Sequence, residues 1–155
     1  MMRVLVPVDL SEESAPLLRV AAELPARVGG ELIALHVYNP DNAAAALREE
    51  RVFADLYVGR LRSELGYLLN QAGITGRGAR VEVVAGDPVE TIVTRASQLG
   101  VDLIVMGTHR RTSLSRLLVG SVAEGVLRRA PCPVVLVPGT ILAGRPRERA
   151  AAGVP

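Results

Sequence analysis

Residues 101–137, VDLIVMGTHRRTSLSRLLVGSVAEGVLRRAPCPVVLV, contain a strand, a loop, a helix and a second strand in that order. Val101 to Met106 (VDLIVM) is a short apolar, partly β-branched run, and Pro133 to Val137 (PVVLV) is another. Between them a helix opens at Ser121 and runs to Ala130. Two strands joined through a helix run parallel, and the crossover is right-handed.

The same alternation extends back to the first residues. Arg3 to Asp9 (RVLVPVD) is a strand that ends in an acidic residue and the polar cluster Ser11-Glu12-Glu13-Ser14, a helix start. That helix is expected to begin near Ser14, with Pro16 in its first turn. It should kink or end early near Pro25, because proline inside a helix costs about 3 kcal/mol. Gly29-Gly30 breaks the chain before a second strand, Glu31 to Tyr38 (ELIALHVY). Residues 43–50 have no clear period. Leu61, Leu65, Leu68, Leu69 and Ala72 then mark one face of a long helix that Gly73 terminates. Arg80 to Ala85 is a third strand, after which Asp87 is placed as a cap and Pro88 opens a helix to Leu99 with Ile92, Val93 and Ala96 inward. The pattern predicts one α/β domain, an open five-stranded parallel sheet with helices on both faces, whose ligand crevice lies outside the carboxyl ends of the strands.

Composition agrees with that class and excludes others. The chain is 49% hydrophobic but only 3% aromatic, so its core is built from Val, Leu, Ile and Ala, as suits a sheet covered on both faces. All 18 basic residues are arginine. Without lysine there is no Walker-type phosphate loop and no Schiff-base chemistry. The net charge of +2 resides in the tail, where Arg145, Arg147 and Arg149 outnumber Glu148, and residues 1–138 are formally neutral. A neutral body with one Phe and three Tyr offers neither a basic groove nor stacking platforms, so no nucleic-acid partner is expected. No apolar run approaches the roughly 18 residues of a membrane span, and the start of the chain is strand-like, which leads to the expectation of a cytoplasmic protein without a membrane partner. Cys132 is the sole cysteine and is expected to be a buried, inert thiol.

The chemistry concentrates in residues 106–122. Gly107 and Gly120 allow a ligand close to the backbone, with Gly120 expected at positive φ, and the helix opening at Ser121 carries orphan N–H groups that favour an anion. A second account makes Ser121 an N-cap, with Glu124 completing a capping box. Asp9, at the end of the first strand, is suited to accept from a ribose hydroxyl, or to cap the first helix. His36 and His109 have no second histidine or cysteine at ligand spacing, so no metal site is expected. His36 is expected to pack or bond within its strand. His109 is a candidate phosphate contact or acid/base, or a plain loop residue. No G-x-S-x-G elbow and no carboxylate pair occurs around Ser121, and a non-enzymatic role is expected.

Gly107, Arg110, Gly120 and Ser121 resemble the signature G-x(2)-G-x(9)-G-[ST] of the universal stress protein family, with Arg110 where the second glycine stands. The flanking VDLIVMGTH and VAEGVLRRAPCPVVLVP, the VPVD of the first strand and the LHV of the second are also similar. The resemblance implies a domain over residues 1–138, a C-terminal tail over 139–155, and a Rossmann-like sheet of order 3-2-1-4-5. It further implies a regulatory stress-response protein that binds ATP, or AMP or ADP, with Mg2+. A homodimer through the fifth strand would cover that strand's apolar edge. Carried over by position, Pro7, Val8 and Asp9 meet the adenosine, Val37 lines the adenine slot, and Met106 and Gly107 pass beside base and ribose. Gly120, Ser121 and Val122 hold phosphates, with His109 and Arg110 in the loop between. Arg110 either bonds phosphate through its guanidinium, as Arg111 could, or fills the site and leaves a nucleotide-free dimeric interaction module.

Overall fold

The computed structural model describes residues 1–41, 51–76, 78–108 and 119–143. Among the described residues strands and helices alternate: β1 (Arg3–Pro7), α1 (Ser14–Val28), β2 (Glu31–Tyr38), α2 (Arg51–Gln71), β3 (Ala79–Ala85), α3 (Pro88–Leu99), β4 (Leu103–Gly107), α4 (Ser121–Arg129), β5 (Val134–Val137) and the short α5 (Gly139–Leu142). All strand pairs are parallel and the sheet order is β3-β2-β1-β4-β5, as expected.

Strand alternation separates the core into two layers. Val4, Val6, Leu32, Ala34 and Val105 face α1 and α2, where they meet Leu17, Leu18, Leu65 and Leu69. Leu5, Ile33, Leu35, Ile104 and Met106 face α3 and α4, where they meet Ile92, Ala96, Ala123 and Val126. Val4, Leu5 and Val6 are all fully buried, as expected of a central strand covered on both sides. At the β3 edge the carboxylate of Glu82, also buried, is held between Arg80 Nη2 at 2.7 Å and Arg95 Nε at 2.9 Å.

Two local expectations are corrected. α1 does not end near Pro25 but continues to Val28. Pro25 is buried, and Gly30 packs against it so closely that a Cβ there would lie 2.9 Å from Pro25 Cβ. This packing, with Gly30 N–H donating to Pro25 O at 2.7 Å, offsets the missing donor. β1 stops at Pro7 and not Asp9: Val8 N–H still donates to Leu35 O, but Val8 O meets a side chain and not the next main-chain donor. Residues 139–142, at the start of the tail whose conformation the sequence does not predict, form the turn of α5, and Leu142 is buried in the α1-side core.

Candidate functional site

A cleft of about 270 Å³ opens at the carboxyl ends of β1, β2 and β4. Nine of the sequence-predicted residues line it: Pro7, Val8 and Asp9; Val37; Met106 and Gly107; and Gly120, Ser121 and Val122. His109 and Arg110, like Arg111, lie outside the described residues. The arrangement follows from topology, since β1 and β4 are neighbours whose chains turn to opposite faces, and the splayed ends leave a crevice.

The β1–α1 turn forms one wall. Leu10 sits at φ 63, a left-handed conformation that costs a non-glycine residue about 1–2 kcal/mol. Asp9 Oδ1 accepts from Ser11 N–H at 2.9 Å and from Ser14 Oγ at 3.3 Å, so the carboxylate shapes the turn. It does not cap α1, whose N-cap position is Glu13, without a side-chain cap bond. Ser11 Oγ is buried and without a hydrogen-bond partner. Ser11, Glu13 and Ser14 all line the cleft. The sequence reading placed them only at a helix start, although their position directly after a strand is the signal that could have found them.

The start of α4 forms the opposite wall. The N-cap is Gly120, not Ser121, and Ser121 is the first helical residue, so the capping-box account fails. Gly120 has φ −60 and ψ 156, an ordinary extended conformation, contrary to the positive φ expected for it. Gly120 N–H donates to Thr108 O at 2.9 Å, so the chain leaves β4 and re-enters α4 at adjacent points. Glu124 N–H donates to Gly120 O at 2.9 Å. The N–H groups of Ser121, Val122 and Ala123 are then those that the helix cannot satisfy itself, and they face the cleft region with the positive end of the helix dipole. Among the described lining residues no arginine is present, while Asp9 and Glu13 contribute carboxylates.

The floor is β2. Glu31 N–H donates to Met2 O at 2.8 Å and Val8 N–H donates to Leu35 O at 2.9 Å, so odd-numbered β2 residues direct their amide groups to β1. Leu32 N–H donates to Gly78 O and Gly86 N–H to Tyr38 O, so even-numbered residues face β3. By this parity Val37 directs one N–H and one C=O toward the β1 side, just beyond Pro7↔Leu35, where the β1–β2 register ends. A main-chain donor and acceptor thus border the cleft side by side. His36 Nδ1 lies 2.8 Å from Val8 O and not, as expected, bonded within its own strand. Leu142, from the aperiodic tail, closes the α1 side of the cleft. Only tertiary packing places it there.

Cys132 lies outside the cleft and is half-buried, not fully buried. Burial first, and Asp102 second, push its thiol above the usual range, which opposes thiolate formation. Among the described residues no group of three or more His, Cys, Asp or Glu could hold a metal ion, and no helix is long and apolar enough to cross a membrane.

The sequence profile of the universal stress protein family matches residues 1–138. Universal stress protein MJ0531 of Methanocaldococcus jannaschii is 31% identical over 137 residues, covering 87% of this chain and 81% of that protein. The solved structure of MJ0577, a hypothetical protein of the same organism, superposes with a TM-score of 0.72 at 28% identity, over 88% of this chain and 95% of its own. A universal stress protein solved in complex with cAMP superposes with a TM-score of 0.64 at 25% identity, over 88% and 95% of the two chains.

Proposed function

The chain belongs to the universal stress protein family, and from that premise we propose that it is a regulatory protein that binds an adenine nucleotide in the cleft between the β1–α1 turn and the start of α4. The observation that carries this reading is the Val37 main-chain edge. An N–H beside a C=O matches the N1 acceptor and N6 donor of adenine, whereas guanine presents N1–H and O6, the reversed pair. The amides of Ser121, Val122 and Ala123 supply the anion end, and Gly120 lets phosphate approach the backbone. The cAMP bound by a structural relative supports the same class of ligand.

ATP is the proposed physiological ligand, with AMP or ADP as the other candidates. Mg2+ would accompany a polyphosphate, because Asp9 and Glu13 place negative charge on one wall. Nothing in the described cleft forms a nucleophile–base constellation, and the proposed role is binding without a chemical step. A homodimer through β5 is part of the proposal: β5 is an edge strand, and Val135 on it is exposed, as are Leu127 and Ile141 on the helices before and after it in the chain.

Calorimetric titration with ATP and AMP, with and without Mg2+, tests the reading. Saturable binding below millimolar concentration, with GMP much weaker, is the expected result. Absence of binding by any adenine nucleotide removes it. Binding that appears only in Arg110→Gly would favour the nucleotide-free module in which Arg110 fills the site.

A further inference from the structure

His36 stands between β1 and the Val37 edge, and the role argued for it rests on the nucleotide reading above. In a parallel ladder a residue whose N–H is held by position j−1 of its neighbour offers its C=O to the N–H at j+1. Val8 N–H is held by Leu35 O at 2.9 Å, so the regular continuation is Val37 N–H donating to Val8 O. That rung is absent. The register ends at Pro7↔Leu35, and Val8 O instead meets His36 Nδ1 at 2.8 Å. A carbonyl oxygen only accepts, so Nδ1 carries the proton.

We propose that His36 is a positioning residue that sets base specificity: its Nδ1–H occupies Val8 O, prevents the β1–β2 ladder from closing over Val37, and so leaves the Val37 N–H available to the ring of an adenine nucleotide. The imidazole acts on the ligand through two main-chain groups, Val8 O and Val37 N–H. Without it, the vacated Val8 O is positioned to take the Val37 N–H. One rung is then gained by the sheet and one donor is lost to the base. Both main-chain polar groups of Val8 are tied to β2, the N–H by Leu35 O and the C=O by His36, which also fixes the neighbouring Pro7 and Asp9 on the cleft wall.

The side-chain geometry supplies a discriminating series. In His36→Asn the amide Nδ2 stands close to the place of Nδ1, in His36→Gln the amide Nε2 stands close to that of Nε2, and His36→Leu has neither donor. His36→Leu is expected to weaken AMP binding about tenfold and to shrink the preference for AMP over GMP, while melting within a few degrees of the parent. His36→Asn is expected to recover most of the affinity and the preference, and His36→Gln is not. A ligand-free readout accompanies these: the Val37 amide should exchange with solvent faster in the parent than in His36→Leu, where the rung closes.

Each result decides. Unchanged affinity and AMP/GMP ratio in His36→Leu overturns the proposal, as does recovery by Gln with none by Asn, which would make Nε2 the acting atom. Equal protection of the Val37 amide in parent and His36→Leu also overturns it. A parent that binds neither nucleotide, but whose Val37 amide still gains protection in His36→Leu, removes the reading of the cleft while leaving the ladder argument in place.

Discussion

Two turns lead from the carboxyl end of a strand into a helix, and they are built on opposite terms. At the β3–α3 turn, Asp87 Oδ1 accepts from Glu90 N–H at 3.0 Å, Pro88 opens the helix, and Gly86 at φ 152 takes the one conformation that disfavours a side chain. Every local preference is met there. At the β1–α1 turn the helix has no side-chain cap, a leucine occupies the left-handed region, and a buried serine hydroxyl has no partner. Only the second turn supplies most of a cleft wall; Pro88 alone represents the first. Local rules are kept where the turn has only to connect, and are broken where it lines the cleft.

The helix that follows the well-capped turn also packs on α4, which carries the opposite wall of the cleft, and the largest predicted effect lies at that seam. α3 packs on α4, and a Cβ placed on Gly125 would lie 2.8 Å from Val89 Cγ2 and 3.0 Å from Val89 Cγ1. Gly125→Val must push α4 off α3, at a cost of about 1–3 kcal/mol. The melting temperature should fall by several degrees, and nucleotide binding should weaken with it because α4 carries Gly120 and Ser121. A variant that melts with the parent would show that the seam adapts and that the α4 wall of the cleft does not depend on α3.

Next in size is the well-capped turn itself. Asp87→Ala removes the acceptor for Glu90 N–H and should cost about 1 kcal/mol. Denaturant unfolding should show this loss, while titration with AMP should give the parent affinity. A fall in affinity without a fall in stability would reverse the contrast between the turns.

The contrast also explains what could be read from sequence. The strands were legible because RVLVP and LIVM are short β-branched runs set between polar or glycine breaks, and their alternation with helices leaves few topologies. Asp87-Pro88 was legible because capping is a matter of neighbouring residues. The continuation of α1 past Pro25 was not, since it depends on Gly30 packing against the ring. Gly120 in place of Ser121 as the N-cap depends on a bond to Thr108, twelve residues earlier in the chain. His36 was read within its own strand, but its partner is on the neighbouring one, and Leu142 reaches the cleft from a segment without period. The convergence of Asp9, Val37, Gly107 and Gly120 could be foreseen from strand ends in a parallel sheet. The hydrogen bonds that tune the cleft could not, because each joins residues that only the fold brings together.

The smallest predicted effect has the opposite sign and tests the other side of the comparison. Ser11 Oγ is buried without a partner, and an unmade hydrogen bond of this kind is a cost that alanine does not carry. Ser11→Ala should therefore stabilise the protein, by less than about 1 kcal/mol because the serine residue as a whole is only half-buried and Ser11 N–H keeps its bond to Asp9. If the hydroxyl is held in reserve for a ligand, affinity for AMP should drop in the same variant whose melting temperature rises, the trade expected where a site keeps polar groups unsatisfied until it is filled. A Ser11→Ala protein that is less stable than the parent would mean the hydroxyl already serves the fold, and the β1–α1 turn would then obey the same local rules as the turn that enters α3.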